Sequence, residues 1–327
     1  MKQFLILTSI LFLLTACESK KYFEPENVND SLKVEESSLS SPIKSINREG
    51  ATLEDGRYIT NNGISKTKLP KDFQFLNLSN NGKVIATNYK DKLLIGEEKI
   101  DIGNVVVAAS LKDNKLALIY SNNTIELLDL DTKKTLYKEY LSLSLANDTR
   151  MVNPYFRGNL LLFPTLNGRV IIVSLKTNKS VKNISVDLDS EFNNIIFLKV
   201  IEDKQTLIAA TANKIVSISS NNISSKDYEI RDIISKGNNT YIATIDGRII
   251  KLDLNLEELA SKKYKYSKIH ALTFTDSLYA VESQNFIIKI NDDFSEDKIF
   301  DFDFDNEKRL IVINNKIYTD STKITLP

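Results

Sequence analysis

The sequence predicts an all-β chain folded as a β-propeller. Three observations carry that prediction: short β-rich runs cut by Asn, Asp, Gly and Lys turns, one strand–turn–strand unit that recurs past residue 50, and little helical periodicity. The unit is clearest at Ala117 to Asp129, Leu162 to Ser174, Leu207 to Ser219, Tyr241 to Asp253, Tyr279 to Asn291 and Leu310 to Tyr318. Asn167-Gly168 and Asp246-Gly247 are dipeptides that accept positive φ in tight hairpin turns, and Asn122-Asn123, Asn213-Lys214 and Asn314-Asn315 are weaker forms of the same signal. Around them lie runs of Val, Ile, Leu and Tyr, the composition of strands buried between layers. The turns recur every 30 to 45 residues, the length of one four-stranded blade. A β-sandwich rarely needs so many equivalent hairpins.

Two earlier hairpins precede these, Val84–Thr87 with Lys92–Ile95, and Thr52-Leu53 with Arg57 to Ile59 across Asp55-Gly56. A ring closes without an open edge when both termini share a blade, so the C-terminal hairpin, Arg309 to Ile324, is expected to pair with the N-terminal hairpin near 51–68. That gives seven blades, or eight if the N-terminal hairpin belongs to a blade of its own. The nearest helical candidate is Leu254 to Ser261.

The amino terminus has a different character. Lys2, the apolar stretch Phe4 to Leu14 and Thr15-Ala16 before Cys17 form a signal segment too short to span a bilayer comfortably. This stretch resembles the lipobox of bacterial lipoproteins, which implies cleavage before Cys17 and its diacylation. Glu18 stands where aspartate retains such proteins in the inner membrane of enteric bacteria, so outer-membrane attachment facing the periplasm is expected. From Glu18 to Asn47 the chain is mainly Ser, Glu, Lys, Asn and Pro, and reads as a flexible tether. The organisation is therefore a signal peptide at 1–16, a lipidated cysteine and tether at 17–49, and a propeller at 50–327.

Composition narrows the function. The chain carries 43 basic and 43 acidic side chains, so no basic field recruits nucleic acid. Cys17 is the only cysteine, and once acylated it leaves no thiol for a disulfide. Hydrophobic residues make up 42% of the sequence, enough for a packed body held by burial alone.

Reactive groups are few. His270 is the only histidine and sits in a strand-like run, where a structural role is expected over catalysis. No second histidine exists to build a relay or a zinc site, and no cofactor or metal is expected. Asp292, Asp293, Glu296, Asp297, Asp301, Asp303, Asp305 and Glu307 suggest a calcium loop, but alternation with Phe300, Phe302 and Phe304 reads better as an amphipathic strand. Lys262 to Lys268, with Tyr264 and Tyr266 between lysines, is a basic aromatic cluster that could touch anionic headgroups or an acidic partner, but a surface strand with tyrosines packed and lysines solvated is the preferred reading.

The stretches Asp246 to Asp253 and Asn167 to Ser174 resemble the quinoprotein-type propeller repeat. Among lipoproteins, the chain is similar over about residues 80–327 to the propeller subunit of the outer-membrane β-barrel assembly machine. The family's Gly-Lys-x-x-Trp blade endings are missing, since the chain has no Trp; Tyr137 and Ile184 are expected to take the ring-packing role. What the resemblance implies is a monomeric, non-enzymatic scaffold that binds envelope proteins and serves outer-membrane protein assembly. Two alternatives are a propeller that binds a small molecule or acts as an enzyme at its central channel, and a surface adhesin or motility accessory. A funnel lined by Asp, Arg and Asn from different blades would favour the small molecule, and an open channel with unpaired polar groups the scaffold.

Overall fold

The computed structural model describes residues 21–144, 147–303 and 309–327. Every element in it is a strand, and the strands form eight antiparallel sheets of four. Blades 1 to 7 follow chain order at 43–64, 74–101, 106–140, 155–185, 197–227, 230–263 and 269–301. Blade 8 takes Ile311–Ile313, Lys316–Tyr318 and Thr322–Thr325 from the carboxyl end and Glu35–Ser38 from the amino end. Eight, the alternative count, therefore holds, because the hairpin near 51–68 completes a blade with Ile43–Ile46.

Closure by the two termini holds as well, with a different partner. Glu35 pairs with Thr325 and Ser38 with Thr322, so the outer strand of the last blade comes from residues 35–38 and not from 51–68. The propeller thus begins before residue 50, and much of the stretch expected to be a tether lies on the ring. Phe23 is buried against Tyr264 and Phe286, Asn29 bridges Phe300, and Leu32 and Val34 pack between blades 7 and 8. An apolar residue every few positions suffices to hold an extended segment in a groove between blades. That spacing has neither strand nor helix period and escapes a pattern search.

The core is divided rather than central. Eight hydrophobic clusters occupy the eight interfaces between neighbouring blades. Strand alternation explains this, since successive side chains of a sheet point to its two faces and each face meets the next blade. The second and third strands are almost wholly buried, as at Leu116 to Tyr120, Ile249 to Leu252 and Leu278 to Glu282, which is why they read as continuous apolar runs. Burying each large apolar side chain contributes about 1.5–3 kcal/mol before entropy is counted.

The roles tryptophan would fill are taken by smaller groups. Tyr137 of blade 3 stacks on Phe163 of blade 4 with centroids 6.4 Å apart, and Ile184 packs into the interface of blades 4 and 5. Tyrosine hydroxyls and lysines add polar ties between blades: Tyr241 donates to Asp292 at 3.0 Å, and Lys251 meets the same carboxylate at 3.1 Å. The segment 254–261 is not helical; Leu256 sits in a turn with φ of +65° and is buried, and the outer strand Glu258–Lys263 follows.

Candidate functional site

The ring has two unlike rims around one channel. One rim, the loop face, carries the turns between second and third strands and the linkers from blade to blade. The other, the hairpin face, carries the tight turns between first and second and between third and fourth strands.

Backbone and side-chain bonds between neighbouring blades support the channel wall. Phe75 N donates to Thr52 Oγ1 at 2.8 Å, Asn77 Nδ2 to the Ala109 carbonyl at 3.0 Å, and Leu272 N to Asp232 Oδ2 at 2.7 Å. Two arginines then reach across. Arg48, in the first turn of blade 1, places Nη1 at 3.4 Å from Asp232 and donates Nη2 to the Ile233 carbonyl at 2.5 Å. Arg150, in the linker between blades 3 and 4, is clamped by Asp148 and donates to the Ile230 and Arg231 carbonyls. Both guanidiniums are thereby committed, and both tie to the inner strand of blade 6. They are struts that stitch the ring across its opening.

These ties set the local electrostatics. Burial pushes the Asp148 carboxyl up, but the Arg150 bonds and charge outweigh it and hold it below the usual range. Glu49 is exposed to the channel yet has protein on most sides, and that desolvation raises its carboxyl despite Arg48 beside it. His270 is comparable: a register shift between Ile269 and Ala271 turns it outward into the channel mouth, where enclosure and then the Arg231 and Lys268 charges lower its pKa. The channel cavity, about 650 Å³, is lined by Arg48, Glu49, Asn61, Arg150, Asp232 and Asn314 among others. Asp, Arg and Asn from different blades do converge, but the arginines are paired rather than free. The lining expected to favour a small molecule is thus present, with both of its arginines already bonded to protein.

The acidic constellation does not assemble. Asp292 serves Tyr241 and Lys251, Asp293 caps Ser295, and Asp297 accepts from Tyr264 and Lys262. Among the described residues no group of acidic or histidine side chains could hold a metal. The strand reading holds for Phe300, buried on Asp297–Asp301, while Phe302 lies beyond the strand end and packs between blades 7 and 8. Phe304, Asp305, Glu307 and Cys17 lie outside the described residues.

What the sequence reading missed is on the loop face. Tyr89, Leu143, Leu188, Phe192, Ile245 and Tyr266 are exposed there on turns and linkers, whereas the large apolar side chains exposed near the hairpin face, Ile46, Ile223 and Leu259, sit on strand ends. Leu188 and Phe192 sit in the linker 186–196. Asp187 pins that linker, accepting from Thr211 Oγ1 at 3.0 Å and from the backbone of Asp189 and Ser190. Asn194 ties it to the preceding linker through both the N–H and the carbonyl of Asp148. A scaffold of buried polar bonds thus displays apolar tips. Asp-Leu-Asp-Ser-Glu-Phe at 187–192 is the only local signal, apolar residues spaced by acids in a loop.

No family model matches the chain. In sequence it is 27% identical over 353 residues to plasminogen-binding protein PgbB of Helicobacter pylori strain J99, and 28% identical over 352 residues to the protein of the same name from strain 26695. Each match covers 91% of this chain, which spans 64% of those proteins' length. In structure it is similar to BamB from Moraxella catarrhalis, with a TM-score of 0.66 and 14% identity over 90% of this chain and 99% of that one. The C-terminal WD40 domain of Sif2 matches at a TM-score of 0.65 and 10% identity, over 91% and 100% of the two chains. The propeller fold expected from the resemblance to the assembly-machine subunit is thus the fold observed.

Proposed function

We propose that this chain is a non-enzymatic propeller of the cell envelope, anchored by lipid on Cys17, that binds protein partners through its loop face. The observation that carries it is the grouping of exposed apolar side chains, Leu143, Leu188 and Phe192 above all, on linkers that buried polar bonds hold in place. Contiguous exposed apolar groups on a rigid support are what protein interfaces use as anchors. Sequence relatives named for binding a protein support the same reading. The paired arginines of the channel speak for a structural centre and a working rim.

Two partners separate the finer readings. A role in outer-membrane protein assembly, facing the periplasm, predicts that the mature chain crosslinks in cells to a barrel-assembly protein. A surface role like that in the relatives' name predicts capture of plasminogen by intact cells and loss of the chain on protease shaving. In either case Leu188→Glu with Phe192→Glu should abolish capture, while Asn238→Glu on the hairpin face should leave it unchanged. Equal binding by both variants would remove the loop face from the proposal.

A further inference from the structure

Residues 21–34 run along the outside of blades 6 to 8 before entering the ring as the outer strand of blade 8. Lys21, the first described residue, has its ammonium 5.7 Å from the centre of the Tyr266 ring on the loop face. Only three residues separate Lys21 from Cys17, and the four steps between them span at most about 14 Å of extended chain. A lipid on Cys17 would hold this part of the ring against a bilayer rather than at the end of a long leash.

The surface beside Lys21 suits that position. Lys21, Lys265 and Lys268 are exposed, Lys265 lies 5.0 Å from the Tyr266 ring, Tyr266 and Ile245 present apolar surface on the same shelf, and Tyr22, next in the chain to Lys21, is exposed as well. Lys263 also lines this shelf but is paired with Asp246 at 2.9 Å. Tyr264, by contrast, is buried and bonded to Asp297, so it fixes the loop and leaves the remaining lysines to solvent. Tyrosines among exposed lysines match the headgroup layer of an anionic membrane, where the ring enters the interface and the ammonium groups meet phosphate.

We infer that Lys21, Tyr22, Ile245, Lys265, Tyr266 and Lys268 form a shelf that docks on an anionic lipid surface and fixes which side of the ring faces the membrane. The inference rests on the proposed anchor, whose short reach keeps the shelf at the bilayer; the lysines supply the charge match.

The test uses the mature chain in phosphatidylcholine vesicles with and without phosphatidylglycerol, labelled with a fluorophore on Tyr266→Cys or, as control, Asn238→Cys on the hairpin face. A quencher carried by the lipid tails should dim the probe at 266 several-fold more than the one at 238, only with phosphatidylglycerol, and less at high salt. Reversing Lys21, Lys265 and Lys268 to Glu should reduce that quenching about fivefold or more while flotation with vesicles persists. Equal quenching at both positions, or quenching indifferent to the reversal, overturns the shelf and leaves the lysines to an acidic protein. Intact mass of the amino terminus reads acylation separately. If the acyl chains are missing, the same chain with hexahistidine at position 17 on nickel-chelating lipid restores the tether and asks the shelf question alone.

Discussion

The two rims are made from the same strands yet are built differently. On the hairpin face most turns stand by themselves, and a Cβ added at Gly158 or Gly237 would meet nothing within 4 Å; the first turn of blade 1, where Arg48 reaches blade 6 and a Cβ at Gly50 would lie 2.0 Å from the Ile59 carbonyl oxygen, is the exception. On the loop face the turns lie beneath the linkers: a Cβ at Gly168 would lie 1.6 Å from the Asp187 carbonyl oxygen, and one at Gly247 2.2 Å from that of Tyr264. One rim is a single layer of polar turns and the other a double layer, whose upper tier carries the apolar tips. A double layer can hold an exposed Phe or Leu in place because the tier below is packed, which is what a recognition surface needs.

The strongest break of this contrast is Gly168→Ala. With φ at +75° and backbone in the way, it should cost about 2–4 kcal/mol in urea unfolding. Next is Asp187→Asn, expected to cost about 2 kcal/mol by weakening charge-assisted bonds to the linker. This change should also alter the pH profile. Burial pushes the Asp187 carboxyl up, but bonds from Ser190, Thr211 and the backbone win and hold it below 3.8. Its stabilisation is therefore complete above that value and drains as pH falls through the folded pKa, so melting curves from neutral pH downward should show a shallower acid loss in the variant. Gly158→Ala and Gly237→Ala should each cost about 1 kcal/mol, from positive φ alone. If they match Gly168→Ala, the two-tier account fails. The smallest effect on stability, within about 0.5 kcal/mol, belongs to Leu188→Glu with Phe192→Glu, since both side chains are exposed. Only partner binding should suffer, and a lowered melting temperature would show these residues to be structural.

How much could be read from the chain depends on which strands carry apolar surface. The second and third strands of each blade are buried on both faces and announce themselves, as at Val84–Thr87 and Lys92–Ile95, whose predicted and observed bounds coincide. Outer strands such as Lys179–Ser185 and Ile223–Asp227 are mostly exposed and read as loops. The extreme is Glu35–Ser38, exposed throughout and held by backbone pairing to Thr322–Thr325, so nothing in its composition distinguishes it from a tether. The blade count wavered for that reason. The apolar tips of the loop face could not be inferred either, because exposure of Leu188 or Phe192 depends on linkers folding over turns distant in sequence.

The pairing of Glu35 with Thr325 sets an order of events. An emerging chain delivers residues 35–38 long before 322–325, so the circle stays unlatched until the later segment has been made. During that wait the early segment bears two glutamates and two serines, a composition with little tendency to assemble into fibrils. The quiet chemistry of those four residues lets the slowest contact in the molecule also be a safe one.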